Sequence, residues 1–392
     1  MEAAKNVFLG GGMVAGYAAK EFVERGGGTG DITILSADNA LPYERPPLSK
    51  GLLTGKDSEE NVFINPGEFY REHGIDVRLS TAVSDVDFAS KRLVLSGSGT
   101  ELVYEKLVIA TGAEPRTLDI PGARLDGVLY LRSLDDCRHI KERSATAKRA
   151  LVIGGGFIAM EVASSLAQRG LEVTMAVREE RIWKSFFTEE MSESFRRYYE
   201  SKGVRLLFRT NINKLDGNGG VKSASLSDGS QVECDVVVAG IGVTPVTGIF
   251  KGIALGNGVH VNEFLETTAP DVYAAGDVAH YQDVLFKKER RVEHWDNAVS
   301  QGQHVARALL GERNPFVHVP YFFSDIFDLS YEFWGDATGA IRTVYRGDLN
   351  STSFSAWWLD ETDRLLAAFV MNRPNEEREL APRLIETKER FE

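Results

Sequence analysis

The sequence predicts an α/β chain: two Rossmann-like dinucleotide-binding domains plus a small α+β C-terminal domain. Three observations predict it. NVFLGGGMVAGYAAKEF and RALVIGGGFIAMEVASSLAQRG share one pattern: an apolar run, a glycine triplet, then small residues at helical spacing. Each is followed by a second apolar run, DITILS and LEVTMAV, which completes a strand–turn–helix–strand unit. The end of the chain changes character. TSFSAWWLD and RLLAAFVMNR read as strands and ERELAPRLIETKERF as a terminal helix.

The first strand is read at Val7 to Leu9, ahead of Gly10-Gly11-Gly12-Met13-Val14-Ala15. The second motif is Gly154-Gly155-Gly156-Phe157-Ile158-Ala159. In each, the first glycine (Gly10, Gly154) allows the turn and the second (Gly12, Gly156) lets a pyrophosphate approach the backbone. The small third residue (Ala15 in the first motif) lets helix pack on strand, and the helix N-terminus offers N–H donors to phosphate. Two such motifs imply two nucleotides, FAD at one and NADH or NADPH at the other. KLVIATGAEPR is an apolar strand ending in Ala110-Thr111-Gly112, and DVVVAGIGVTP, with Gly242, is a weaker echo. TTAPDVYAAGDVAHY sets Asp277 after a strand-like VYAAG and ahead of an expected helix.

The expected domains follow. Residues 1–116 and 246–318 form a FAD-binding domain, 117–245 an NAD(P)-binding domain and 319–392 the α+β C-terminal domain.

Composition narrows the function. With 45 basic and 57 acidic residues the 392-residue chain carries a net charge of −12, which disfavours nucleic-acid or anionic-membrane binding. KKERR, Lys287 to Arg291, is a local basic run, read either as a solvated loop or as a docking patch. Cys137 and Cys234 are the only cysteines, so no disulfide framework and no cysteine zinc site is expected, and no metal is assigned. Both are read as buried thiols in a reducing cytoplasm. No stretch resembles a signal peptide, and no apolar run approaches about 18 residues.

PYERPPLSKGLL, the Ala110-Thr111-Gly112 motif, GGGFIAMEVA, YAAGDVA, RRVEHWDNAVSQG and PYFFSDIFDLSYEFWGD together carry a resemblance over essentially the whole chain. The sequence resembles the FAD- and NAD(P)H-dependent reductases of the glutathione-reductase structural class, in the branch without a redox disulfide. That branch holds the ferredoxin reductases of bacterial oxygenase systems, the monodehydroascorbate reductases and the apoptosis-inducing-factor flavoproteins. MNRPNEERELAPRLI resembles the C-terminal domain of the oxygenase-linked members, while RRVEH and FDLSYEFWGD lean equally to monodehydroascorbate reductases.

The resemblance implies site residues. For FAD these are Gly10, Gly12 and Ala15; Asp38 on the adenosine ribose, although the second strand itself ends at Leu35-Ser36 without the usual acid; and Arg45 on the pyrophosphate. Val83 would meet the adenine through its backbone, Thr111, Gly112 and Arg116 would line the cofactor, and Asp277 would accept from a ribitol hydroxyl. Glu293, His294 and Trp295 would begin a helix aimed at the pyrimidine end of the flavin. For the nicotinamide nucleotide they are Gly154, Gly156, Gly242 and Phe157, the last an aromatic gate over the flavin, with Glu179 selecting NADH. Arg178 keeps a 2′-phosphate, and so NADPH, open. Lys50 stands where disulfide-using relatives carry cysteines, and the resemblance pairs it with Glu161 beside the flavin's redox edge.

Without a disulfide, the flavin itself would store the electrons and release them singly. Three acceptor readings follow: a ferredoxin-type iron–sulfur protein, for which the basic run would suit an acidic partner; a small radical such as monodehydroascorbate, or a quinone, with Arg291 and Tyr321 as contacts; and, in another class, an NADH-sensing redox interaction protein. Relatives occur as monomers and homodimers, and both states are compatible with the sequence.

Overall fold

The computed structural model of the chain describes residues 2–184 and 186–391. They divide into two compact units. The first holds residues to Arg45, Glu60–Glu114 and Thr244–Pro320; the second holds Pro46–Glu59, Pro115–Val243 and Tyr321 to the C-terminal end. The segment carrying Lys50, which the sequence analysis put in its first domain, thus packs with the second unit.

In the first unit, strand Glu2–Leu9 lies parallel between Ile32–Leu35 and Glu101–Ile109, and Val272–Ala274 joins the latter on its other side. Their inner ends, at Val7–Leu9, Ile32–Leu35 and Leu107–Ile109, read as near-continuous apolar runs because both faces are covered there. Val7, Phe8, Ile34, Leu107, Val108 and Ile109 are fully buried, each side chain contributing about 1.5–3 kcal/mol. Helices Met13–Glu24 and Trp295–Leu309 belong to the same core. Gly302 lets them approach: a β-carbon there would come 2.8 Å from the Val14 carbonyl oxygen.

One expectation is corrected here. Asp277 is followed by a strand, Ala279–Asp283, and not by a helix. Ala279, Tyr281 and Asp283 are buried while His280 and Gln282 are only partly so, a period of two that suits a half-covered sheet. This strand joins Leu255–Gly256, Gly258–Val261 and Lys288–Arg290 in a four-stranded sheet.

The second unit repeats the parallel plan with strands Arg205–Leu207, Glu172–Ala176, Arg149–Ile153, Val236–Ala239 and Val128–Leu129, in that order. Its C-terminal part is a five-stranded antiparallel sheet ordered Tyr321–Ile326, Leu329–Gly335, Leu365–Met371, Ser353–Leu359 and Arg342–Asp348, packed with helix Asn375–Thr387. No described helix is long and apolar enough to cross a membrane.

Candidate functional site: two nucleotide cradles and a buried ion pair

The first cradle forms where strand Glu2–Leu9 ends. Gly10 has φ +124°, and a β-carbon on it would collide with the Ala110 carbonyl; one on Gly11 would collide with Ser36. Only glycine fits such a turn. Gly12 is the N-cap of helix Met13–Glu24 and offers no side-chain cap. A β-carbon on Gly12 would meet only Arg45 Nη2, at 4.0 Å. Open space is therefore bounded by helix N–H groups and a guanidinium, the donor set a pyrophosphate needs, and the cradle fits FAD. Ala15 is fully buried, as tight helix–strand packing requires.

Asp38 lies beyond the end of the second strand, and its Oδ2 accepts from the Tyr43 hydroxyl at 2.8 Å. The Asp38 carbonyl accepts from Ser80 N–H at 2.8 Å, and Thr81 N–H donates to the Ser36 carbonyl at 2.6 Å. This brings the 80–83 segment, with Val83 opening a strand, beside Asp38. The Thr111 hydroxyl donates to the Val246 carbonyl at 2.8 Å, and the Gly112 carbonyl accepts from Val246 N–H at 3.0 Å.

Asp277 sits in the 3-10 turn Gly276–Val278, and its carbonyl accepts from Arg291 Nη1 at 3.1 Å. Helix Trp295–Leu309 starts with His294 as its N-cap. Burial pushes the His294 imidazole down to about 4, against the opposing pull of Asp277 and Asp296. It is therefore neutral at pH 7 and able to donate from one ring nitrogen. The Trp295 indole N–H and the Tyr17 hydroxyl both donate to Glu44, one to each carboxylate oxygen. Sequence reasoning missed Glu44 and Tyr17. Glu44 lay inside the quoted YERPP stretch, but nothing in the sequence signalled its partners.

The second cradle repeats the first inside the other unit. Gly154 has φ +125° and would collide with the Gly240 carbonyl if it carried a β-carbon. Gly156, the uncapped N-cap of helix Phe157–Gln168, faces open space, as does Gly242 at φ +96°. These features fit a second pyrophosphate. Arg116 N–H donates to the Gly242 carbonyl at 2.9 Å and its Nε to the Val243 carbonyl at 3.2 Å, so Arg116 is tied to this turn. Phe157, half-buried, packs against Phe322, Phe186 and Trp183 with ring centroids 4.4, 5.2 and 5.7 Å away. Those supporting rings were not anticipated. Glu179 Oε1 accepts from Arg178 Nη2 at 3.0 Å, and the Arg178 side chain is 77% exposed.

Lys50 and Glu161 meet. Nζ lies 2.9 Å from Oε1, with side chains only 12% and 5% exposed. Lys50 is held by its place as N-cap of the short helix Gly51–Thr54, and Glu161 by the second turn of Phe157–Gln168. The carboxylate also accepts from the Ser324 hydroxyl at 2.5 Å and from Ser49 on the other oxygen. A buried carboxylate needs this many donors. Neither serine was foreseen. Ser49 was adjacent to the predicted lysine, whereas Ser324 comes from the C-terminal sheet. Phe323 adds a ring face 5.1 Å from Nζ.

The residues read as acceptor contacts are otherwise engaged. Arg291, its side chain 9% exposed, pairs with Glu293 at 2.5 Å and donates to Asn257 at 3.3 Å besides Asp277. Glu293 thereby serves Arg291. The Tyr321 hydroxyl donates to Glu332 at 2.9 Å. Arg290 pairs with buried Asp283 at 3.0 Å, so at least two of the four cations of the KKERR run form internal ion pairs, which weakens its reading as a docking patch.

The family model described as pyridine nucleotide-disulphide oxidoreductase matches residues 4–302, and the one described as reductase C-terminal matches residues 321–392. Monodehydroascorbate reductase of Solanum lycopersicum is 35% identical, the match covering 95% of this chain and 92% of that protein. Peroxisomal monodehydroascorbate reductase 2 of Oryza sativa subsp. japonica is 36% identical over 98% and 85%. Among solved structures, the ferredoxin reductase for the CYP199A2 system from Rhodopseudomonas palustris superposes with a TM-score of 0.91 at 32% identity, covering 95% of this chain and 92% of that one. Putidaredoxin reductase, in its covalent complex with putidaredoxin, gives 0.91 at 28% identity over 98% and 93%.

Proposed function

Since the chain belongs to the pyridine nucleotide-disulphide oxidoreductase family, we propose that it oxidises NADH and passes electrons singly to a ferredoxin-type iron–sulfur protein. The coarser activity is that of an NAD(P)H-dependent flavoprotein reductase using FAD. Bound FAD supplies the chemistry, accepting hydride from the nicotinamide and giving up electrons one at a time.

The observation that carries the acceptor reading is the residue after RPPLS. No cysteine pair stands there but a lysine, its charge met by Glu161 at 2.9 Å. Cys137 and Cys234 are buried and free, and burial pushes their thiols up to about 11 and about 12. Neither offers a thiolate at neutral pH, so neither supports a thiol relay. With no thiol relay in the chain, an outside acceptor would take electrons from bound FAD itself. The resemblance assigns the Lys50 ammonium to the flavin's redox edge, where a fixed positive charge favours the electron-rich form. Arg45 and the Gly12 helix end would hold one pyrophosphate, and the Gly156 helix end the other. Glu179 supports NADH because its carboxylate accepts from ribose hydroxyls and repels a 2′-phosphate.

A small radical is the second reading, favoured by the monodehydroascorbate reductases among the relatives. The internal partners of Arg291 leave its guanidinium little capacity for an anionic ring, which is why the protein acceptor ranks first.

Anaerobic stopped-flow tests both. The enzyme is reduced with NADH and mixed with a [2Fe–2S] ferredoxin or with the ascorbate radical. Fast reoxidation by ferredoxin is expected; fast reoxidation by the radical alone would replace the first reading with the second. Flavin reduction taking minutes with both NADH and NADPH would favour a redox sensor over either.

A further inference from the structure

In the first unit's four-stranded sheet, His260 and His280 lie on neighbouring parallel strands, directly opposite in register. Their rings meet edge to face at 67°, centroids 4.5 Å apart, with His280 Nδ1 3.2 Å from His260 Nε2. On the next strand Glu289 stands opposite Gln282, two residues past His280 and so on the same face. One ligand atom from each of His260, His280 and Glu289 lies within 4.8 Å of the others. Ala279 and Tyr281 point the other way, into the core.

The spacing has a chemical meaning. Two imidazole nitrogens bound to one tetrahedral ion, each at about 2.0–2.1 Å, stand about 3.3–3.4 Å apart. The observed 3.2 Å nearly matches. Glu289 is exposed, so its carboxylate has room to turn toward the two imidazoles. The backbone also makes room: a β-carbon on Gly256 would come 2.7 Å from His260 Nε2, so glycine lets that ring lie against the hairpin. Two imidazoles and one carboxylate favour Zn²⁺, Cu²⁺ or Ni²⁺ over Mg²⁺ or Ca²⁺.

We propose that His260, His280 and Glu289 form a binding site for a divalent late transition metal of the Zn²⁺ class, water completing its shell. No step of electron transfer uses these residues. Their separations of 20 and 9 positions match no metal-binding spacing, so the sequence alone assigned no metal. Arg291 faces His280 as well, its charge balanced by Glu293 at 2.5 Å. The metal clips together the three strands that carry its ligands, and one of these starts two residues after Asp277.

The test uses the FAD-loaded enzyme, stripped with chelator and titrated with ZnCl₂ by calorimetry, with thermal unfolding in parallel. One equivalent is expected to bind and to raise Tm. His260→Asn and His280→Asn should each weaken binding by about 10–100-fold or more, and Glu289→Gln by less. Exposed Glu289 keeps the test valid if a histidine variant folds poorly. Cu²⁺ in the same site should show hyperfine coupling to two imidazole nitrogens, reduced to one in His280→Asn. Failure to take up one equivalent of Zn²⁺, or uptake unchanged in all three variants, would overturn the proposal.

Discussion

Replacing Glu161 with Gln keeps the shape and an oxygen acceptor for a serine hydroxyl but removes the charge that faces Lys50. At 2.9 Å and an effective dielectric of about 20, the attraction lost is about 6 kcal/mol. Part of it returns as water reaches the ammonium, which is 12% exposed, and the expected net cost is about 3–5 kcal/mol. Lys50→Met strands the carboxylate instead, but Ser49 and Ser324 still donate to it, so its cost should be smaller. The double variant should cost less than the sum of the singles by about 2–3 kcal/mol. Guanidinium unfolding followed by tryptophan fluorescence reads this directly, because Trp183, Trp334, Trp357 and Trp358 all lie in the unit that holds the pair. A Glu161→Gln cost below about 1 kcal/mol, or additivity within about 0.5 kcal/mol, would refute the reasoning.

Gly10→Ala should yield protein that purifies without FAD, read from the 450 nm to 280 nm absorbance ratio. Its φ of +124° and the Ala110 carbonyl both oppose a β-carbon. Glu179→Ala should shift the ratio of kcat/KM for NADH to that for NADPH toward NADPH by about tenfold, the worth of one lost hydrogen bond to a charged group; an unchanged ratio would remove Glu179 from specificity. Burial, helped by Arg307 and opposed by Glu312, pushes His304 down to about 4. Unfolded histidine takes its proton near pH 6.5, so His304 leaves stability intact above that pH and lowers it as pH falls toward 4. His304→Gln should flatten the stability slope in that window by up to about 1.4 kcal/mol per pH unit, measured by urea unfolding at several pH values.

Much of the fold was legible locally. Apolar runs with covered faces gave the parallel strands, and the glycine triplets gave both turns because a positive φ beside a carbonyl admits no other residue. The strand after Asp277 was misread as helix, since AHYQD is too short for its period to show until burial reveals it. The pairing of Lys50 with Glu161 came from resemblance, and the distance came from the fold.

The sequence by itself determined the two nucleotide cradles, because each turn, its helix and that helix's N–H donors run consecutively, from Gly10 to Glu24 and from Gly154 to Gln168. Tertiary structure alone decided the polar partners. Ser324 reaches Glu161 across 163 positions, and Glu44 accepts from Trp295 across 251. It also decided that Arg291 faces inward and that His260, His280 and Glu289 share one face. A buried charge takes its partners from whatever the fold brings within about 3 Å, and separation along the chain carries no record of that choice.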